Sequence, residues 1–116
     1  MTTIQRFDVC TRLSEMAVHN GTAYLAGQVP ESADKDIRGQ TAEVLAAIDK
    51  LLAEAGTDKS RILMAQIFLT NLADFDGMNA VWDAWVTPGH TPPRATVHAP
   101  LARPGWRVEI VVTAAV

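Results

Sequence analysis

The stretch Ile62-Leu63-Met64-Ala65-Gln66-Ile67-Phe68-Leu69, residues 62–69, is an almost unbroken apolar run of strand length. A run without a polar alternate face is typical of a strand that is covered on both sides. We therefore predict a β-strand over residues 62–69 whose two faces are both covered by other parts of the protein.

Helical periodicity appears on both sides of this strand. Residues 35–55 carry apolar side chains at three- and four-residue steps, with Asp34 as a candidate N-terminal cap and Gly56 as a C-terminal stop. A second helix is predicted over residues 74–86, with Asp74 as its candidate cap. We assign the apolar side of this second helix to the core in preference to a ligand platform; it consists of Phe75, Met78, Trp82 and Trp85.

Three strands are predicted before the first helix and two after the second. Asn20-Gly21 lies between two short apolar runs and predicts a hairpin over residues 13–28, because this dipeptide tolerates the positive φ of tight turns. Residues 4–9 are interpreted as a further edge strand. The last two strands are predicted at residues 94–99 and 106–115.

The predicted order of elements is β-β-β-α-β-α-β-β, within a single domain of 116 residues. This is an α+β fold in which two helices pack on one face of a mixed β-sheet. The other face then leaves apolar strand residues without a cover. The simplest cover is another copy of the chain, so we predict a closed homo-oligomer.

Composition argues against several classes of partner. A net charge of −3 gives no general attraction to nucleic acid or to anionic lipid, which requires clustered Lys and Arg. No window has the length and apolarity of a signal peptide or a membrane span. Cys10 is the only cysteine and has no thiol to pair with. We expect a cytoplasmic protein.

Metal and covalent chemistry lack their usual motifs. His19, His90 and His98 do not have the helical spacing of zinc sites. There is no Gly-x-Ser-x-Gly elbow or phosphate-binding loop, and Cys10 has no identifiable activating base. We expect neither a metal nor a cofactor.

Arg94 is the most informative polar residue of the sequence. It lies in Thr91-Pro92-Pro93-Arg94-Ala95-Thr96-Val97, between a proline-stiffened turn and a β-branched run. A guanidinium entering an otherwise apolar strand is suited to gripping a carboxylate at two points. The alternative is a structural ion pair or a solvated strand end.

The last two strands offer Arg94 a possible companion. Strand alternation puts Arg94, Thr96 and His98 on one face. If the strands at residues 94–99 and 106–115 pair as an antiparallel hairpin, that face also bears Glu109. Such a cluster is either a buried salt bridge that sets the assembly or a cleft in which Arg94 binds a carboxylate and Glu109 activates a water.

The chain resembles the Rid/YjgF family of reactive intermediate deaminases, which is also described as L-PSP endoribonuclease-like. The similarity is greatest to its short, YoaB-like members. It extends over almost the whole chain, and its most specific parts are Pro92-x-Arg94 and Val108-Glu109-Ile110. The other matching pieces, in order, are Gly27-Gln28-Val29-Pro30, Gln40-Thr41, Ala55-Gly56, Asp74-Phe75 and Met78-Asn79.

This resemblance implies a chorismate-mutase-like fold and a homotrimer with clefts between its subunits. It also implies cofactor-independent hydrolysis of 2-aminoacrylate or 2-iminopropanoate to a 2-keto acid and ammonia. By position, Arg94 matches the arginine that holds the substrate carboxylate, and Glu109 matches the glutamate associated with the attacking water. Ala26, Gly27 and Thr96 match other positions of the substrate pocket.

Three polar groups of other family members are missing. The stretch Leu13-Ser14-Glu15-Met16 lacks a cleft tyrosine, Ala26 replaces a serine, and Thr96 replaces a cysteine. A non-catalytic trimeric binder of small carboxylates such as 2-keto acids is therefore the alternative to a deaminase. An endoribonuclease or translation inhibitor ranks third, because the sequence has no basic aromatic strip.

Overall fold

A computed structural model describes residues 3–116, which form one six-stranded sheet and two α-helices. The observed order confirms the predicted β-β-β-α-β-α-β-β arrangement and the mixed α+β fold. Short 3-10 turns at Lys59–Arg61 and Leu72–Asp74 precede β4 and α2. The elements are β1 Gln5–Val9, β2 Ser14–His19, β3 Thr22–Leu25, α1 Ile37–Glu54, β4 Ile62–Leu69, α2 Phe75–Trp85, β5 Arg94–His98 and β6 Val108–Ala115.

The strand predicted at residues 62–69 is β4, and its observed bounds are the predicted ones. The sheet order is β1-β2-β3-β6-β4-β5, so β4 has β6 on one side and β5 on the other. It pairs antiparallel with β6 and parallel with β5. The hairpin considered for β5 and β6 is therefore wrong. The most apolar strand, β4, lies between them and pairs with both.

One face of this sheet is covered by the helices. Alternate residues of β4, namely Ala65, Ile67 and Leu69, are fully buried on that side. They belong to a single apolar cluster with β6, α1 and α2. The cluster includes Val108, Ile110 and Val112 of β6, Val44, Leu45, Ile48 and Leu52 of α1, and Met78 and Trp82 of α2.

The other face of β4 remains uncovered within one chain. Leu63 and Met64 are 49% and 38% exposed, and Gln66 is also exposed. The composition of this strand predicts that both of its faces are covered, and the chain's own helices cover one of them. Residues 3–116 of a single chain supply no cover for the second face.

The N-terminal hairpin forms as its sequence predicts. Asn20 and Gly21 have φ values of 52° and 77°, the left-handed values that a tight hairpin turn needs. β2 and β3 pair antiparallel on either side of them, and β1 adds the predicted edge strand.

Two local predictions on the helices are wrong, and a third holds in part. The N-terminal cap of α1 is Asp36, whose carboxylate accepts from the Gly39 backbone N–H at 2.9 Å, and Asp34 lies outside the helix. Asp74 is the N-terminal cap residue of α2 as predicted, but its carboxylate makes no capping hydrogen bond and accepts from the Arg107 guanidinium at 3.3 Å. Phe75 at the start of α2 is 41% exposed, whereas Met78 and Trp82 are buried as predicted.

Gln40 joins the first helix to the loop that leads into β6. Its side chain is fully buried. Nε2 donates to the carbonyl oxygens of Gly105 at 2.9 Å, Lys35 at 3.1 Å and Ala33 at 3.3 Å. Oε1 accepts from the Arg107 backbone N–H at 2.8 Å. This network fixes the backbone at the start of β6.

Neither helix in the part of the chain that the structure describes is long and apolar enough to cross a lipid bilayer.

Candidate functional site

Glu109 lies on the sheet face that the helices leave open. It stands opposite Phe68 of β4, between the buried residues Val108 and Ile110. Its side chain is half-buried beside Gly27, just beyond the end of β3. A Cβ atom built on Gly27 would overlap the Glu109 carboxylate, with Cδ only 2.8 Å away. The glycine is therefore required for this position of the carboxylate.

The backbone around Gly27 is held from two sides. Gln28 and Ile110 exchange backbone hydrogen bonds of 2.9 and 3.1 Å, so β6 is paired again just past the glycine. The buried Gln28 side chain donates to the Ala26 carbonyl at 3.0 Å and to the Glu15 carboxylate at 3.2 Å. Ala26 contributes backbone groups here and a methyl side chain. The pocket position next to Glu109 thus has a fixed backbone.

Arg94 lies in a different part of the molecule. It is the first residue of the edge strand β5, opposite the buried Ala65 of β4 and therefore on the helix side of the sheet. Its guanidinium carbon lies over the Trp82 ring of α2, 5.2 Å from the ring centroid. Thr96, opposite Ile67, shares this side with it. Arg94 and Thr96 are both half-buried.

The structure therefore divides the predicted site residues into two half-sites. The Glu109 half-site consists of Glu109, Gly27 and Ala26, and the Arg94 half-site consists of Arg94 and Thr96. The prediction that Arg94 and Glu109 share a face is wrong. Parallel pairing puts Arg94 opposite Ala65, whereas Glu109 is opposite Phe68, and residues an odd number of steps apart point to opposite faces.

His98 shares the strand and the face of Arg94 but not its surroundings. It stands opposite Leu69 at the far end of β5, and its Nε2 lies 3.2 Å from the Thr70 carbonyl oxygen. It borders a separate groove with the loop at residues 100–106. The predicted cluster of an arginine, a histidine and a glutamate does not form within the chain.

Neither Arg94 nor Glu109 has an ion-pair partner among residues 3–116. The ion pairs of this described part of the chain are Lys35–Glu43 at 3.0 Å and Arg107–Asp74 at 3.3 Å. The structural ion pair that the sequence leaves open as an alternative for Arg94 is therefore not made by the chain itself. Each half-site presents one charge that is free to bind a ligand.

One residue of α2 adjoins the Arg94 half-site without being predicted there, and a second lies on the same side of that helix. Trp82, which sequence analysis assigns to the core, is buried and also lies beneath the guanidinium. Asn79, three residues earlier and so on the same side of the helix, has a buried Oδ1 atom without a hydrogen-bond partner. Their three-residue spacing is visible in the sequence, but its relation to Arg94 depends on the parallel pairing of β5.

A groove of about 620 Å³ runs between α1 and the segment that follows β3. Gly27 is the only predicted site residue on its wall, which is otherwise rich in carboxylates. One of these, Glu43, has its pKa lowered by a hydrogen bond from Lys35 and by bonds from Ser32. No group of three or more His, Cys, Asp or Glu side chains within residues 3–116 is arranged to hold a metal ion.

Comparison with known proteins relates this arrangement to one family. A family model described as endoribonuclease L-PSP matches residues 3–116. A RutC family protein of Haemophilus ducreyi is 57% identical, with 97% of each chain covered. The RutC family protein YoaB of Escherichia coli is 50% identical, with 98% of this chain and 99% of the relative covered.

Solved structures agree with the sequence matches. A member of the YjgF protein family from Neisseria meningitidis superposes with a TM-score of 0.95 at 50% identity, and the match covers 97% of this chain and 94% of that one. Fold and family are thereby supported over nearly the whole length of the chain.

Proposed function

We propose that this chain, which belongs to the Rid/YjgF family matched under the description endoribonuclease L-PSP, is a cofactor-independent imine/enamine deaminase. Its substrates are 2-aminoacrylate or 2-iminopropanoate, and its products are a 2-keto acid and ammonia. The observation that carries this proposal is that Arg94 and Glu109, at the two family positions that bind the substrate carboxylate and the attacking water, make no ion pair within residues 3–116.

The working unit in this proposal is a homotrimer in the cytoplasm, with one active cleft at each subunit boundary. One chain does not bring its two half-sites together, because they lie on opposite faces of the sheet and are separated by β4. Arg94 is on the edge strand, where it can project beyond its own sheet toward a neighbour. The open face that bears Glu109 also exposes apolar side chains that a second copy would cover. A cleft built from two copies would therefore contain both charges.

The reaction requires orientation of the imine and the attacking water more than chemical activation of either one. An imine carbon is electrophilic, so holding the carboxylate next to a positioned water supplies much of the required organisation. Glu109 accepts a proton as the water oxygen bonds to the imine carbon, which forms a carbinolamine. That proton passes to the nitrogen, the hydroxyl proton of the carbinolamine follows it as the C–N bond breaks, and ammonia leaves as the carbonyl forms. Water and imine thus give keto acid and ammonia without an oxidant or a cofactor.

The energetic contribution of Arg94 can be bounded. A charge-assisted bidentate bond to a carboxylate is typically worth about 1.5–3 kcal/mol, or roughly ten- to a hundredfold in binding. Orientation of the bound imine adds to this effect in the rate. Loss of Arg94 should therefore affect both substrate binding and turnover.

The test uses 2-iminopropanoate generated in place by an amino-acid oxidase, with semicarbazide as a competing trap. Wild type should lower the initial rate of semicarbazone formation, and Arg94→Ala should not. Arg12→Ala, which removes an exposed arginine near the β1–β2 turn, is the matched control and should behave as wild type. If wild type and Arg94→Ala consume the imine equally, the deaminase proposal is lost.

A non-catalytic trimeric binder of small carboxylates is the second candidate. The observation that favours it is the loss of polar pocket groups at Ala26 and Thr96, which leaves the arginine with few companions. Such a protein would show a rise in Tm with 2-keto acids that depends on Arg94, but no turnover. A measured turnover in the trapping assay would exclude it.

An endoribonuclease, which the family description names, has less support. Binding an RNA backbone draws on clustered basic side chains and stacking aromatics, whereas the chain carries a net charge of −3. Cleavage of RNA by the purified protein that disappears in Arg94→Ala and Glu109→Gln would reverse this ranking.

A further inference from the structure

We propose that Trp82 is a positioning residue that holds the Arg94 guanidinium ready for the substrate carboxylate. This inference rests on the proposed function, since it concerns the same arginine. It adds a specific role for a buried aromatic residue whose simplest interpretation is core packing.

The contact is direct and its geometry is that of a cation–π interaction. The Arg94 guanidinium carbon lies 5.2 Å from the centroid of the Trp82 ring, within the range of about 6 Å over which the ring quadrupole attracts a cation. Trp82 is only 5% exposed, so the ring under the guanidinium is held within the packed interior. The ring cannot turn away without disturbing the core cluster to which it belongs.

The indole is itself held by further contacts. The Trp85 ring lies 5.4 Å from the Trp82 ring, tilted by 48°. Trp85 donates from Nε1 to the Asp49 carboxylate of α1 at 3.0 Å, and the Lys59 ammonium lies 5.2 Å from its ring centroid. Lys59, Trp85, Trp82 and Arg94 thus form one continuous row across α2. Arg94 is the end of this row that reaches the sheet edge.

An aromatic support suits a carboxylate-binding arginine better than an acidic one would. A neighbouring carboxylate would take up N–H donors of the guanidinium and compensate its charge. The face of an indole attracts the cation without accepting those N–H groups. No carboxylate lies within 4.0 Å of Arg94 in the described chain, so its donors and charge remain available to a ligand.

The same support reduces the cost of binding. A free arginine side chain populates many rotamers, and a ligand that fixes one of them loses affinity through that ordering. Resting the guanidinium on the Trp82 ring restricts these rotamers before the ligand arrives. The effect should therefore appear in the affinity for the carboxylate, and much less in the rate of the chemical step.

The experiment compares Trp82→Leu and Trp82→Phe with wild type, using pyruvate as the probe ligand and 2-iminopropanoate as the substrate. Trp82→Leu keeps an apolar side chain without a π face, whereas Trp82→Phe keeps a smaller ring and remains available if the leucine variant does not fold. We expect Trp82→Leu to raise the pyruvate Kd and the KM by about tenfold, with Trp82→Phe in between. Its kcat should stay within about twofold of wild type.

A general loss of stability has to be separated from a loss of positioning. Leu52→Ala truncates a fully buried residue of α1 that does not contact Arg94, and it provides the matched control. It should lower Tm while leaving the pyruvate Kd unchanged.

Intrinsic fluorescence gives a second readout of the contact. The chain has three tryptophans, so Trp85→Phe combined with Trp106→Phe leaves Trp82 alone. Pyruvate should change the emission of Trp82 in this background, and adding Arg94→Ala should abolish the change.

The results separate the two proposals. If wild type turns over the imine and Trp82→Leu binds pyruvate as tightly as wild type, the positioning role is wrong and the deaminase stands. If wild type binds pyruvate without turnover, and Trp82→Leu weakens that binding, the deaminase is wrong and the positioning role stands. If wild type neither binds pyruvate nor turns over the imine, both are overturned.

Discussion

The side of the sheet beneath the two helices and the side away from them are built from alternate residues of the same strands. In β4, Ile67 is fully buried under the helices, whereas its neighbours Gln66 and Phe68 point the other way and remain exposed or half-exposed. In β6, Val108 and Ile110 are buried on the helix side, and Glu109 between them is not. The helix side is complete within one chain, and the open side is not.

This difference explains how the two half-sites can be prepared separately. Arg94 is supported by a finished core, through Trp82, at the edge of the helix side. Glu109 is held on the open side of the sheet by backbone pairing, and the absence of a side chain at Gly27 leaves room for its carboxylate. Folding of one chain fixes each group, and association of chains is what brings them together in our proposal.

The largest expected effect comes from truncating a buried residue on the helix side of the sheet. Ile67→Ala removes a fully buried side chain and should cost about 2–5 kcal/mol of unfolding free energy. Chemical denaturation measures this loss directly. A cost below about 1 kcal/mol, the range of surface changes, would contradict the complete packing that we assign to this side.

Phe68, the neighbour of Ile67, tests the open side of the sheet. Phe68→Glu puts a charge on the open face and should dissociate the proposed trimer, because an unpaired charge is costly to bury between subunits. Light scattering coupled to size exclusion measures the mass in solution. Persistence of the wild-type oligomer would show that this face is not its interface.

Gly27→Ala should impair activity more than stability. The added Cβ displaces the Glu109 carboxylate, and a misplacement of about 1 Å can reduce turnover by about a hundredfold. Because the displaced group is the end of a flexible side chain, Tm should change little. A Gly27→Ala variant with the kcat of wild type would contradict the steric explanation.

Gln40→Met should have the opposite profile. It leaves the Arg107 N–H and the Gly105 carbonyl without their side-chain partners, which should cost about 1–3 kcal/mol of stability. The KM for the imine should remain near that of wild type, because the side-chain hydrogen bonds of Gln40 involve neither Arg94 nor Glu109. Gln5→Met, on the exposed edge strand, is the control and should stay within about 0.5 kcal/mol.

The smallest effect concerns acid sensitivity. Lys35 and Ser32 hold the pKa of Glu43 below its ordinary value of 4.5, so the ionised form is favoured in the folded chain. The resulting stabilisation is fully present above that ordinary value and is lost as pH falls through the folded pKa. Glu43→Gln should therefore flatten the dependence of Tm on pH between about 5 and 3. An unchanged slope would show that Glu43 is not part of the acid response.

Local patterns predict much of this fold from sequence. The apolar run at residues 62–69 gives β4 its observed bounds, and Asn20-Gly21 gives the first hairpin. These features depend on nearby residues and on burial. The cap of α1 is displaced by two residues, from Asp34 to Asp36, because both carboxylates precede the helix and only the actual chain path decides between them.

The relation of Arg94 to Glu109 could not be predicted in the same way. It depends on which strand lies beside β5, a non-local choice that also sets which residues face one another. Because β5 pairs with β4 and not with β6, Arg94 lies on the helix side of the sheet and over Trp82. The residue types of the site are visible in the sequence, but their division into two half-sites is a property of the sheet order.

The measurement that tests the central claim most directly is complementation between Arg94→Ala and Glu109→Gln. Each variant alone should be inactive in the trapping assay, while each keeps one intact half-site. When equal amounts are dissociated and reassembled together, random mixing should restore about a quarter of the wild-type sites, because an active cleft takes Arg94 from one chain and Glu109 from its neighbour. Activity no greater than the sum of the separate variants would contradict a cleft shared between chains.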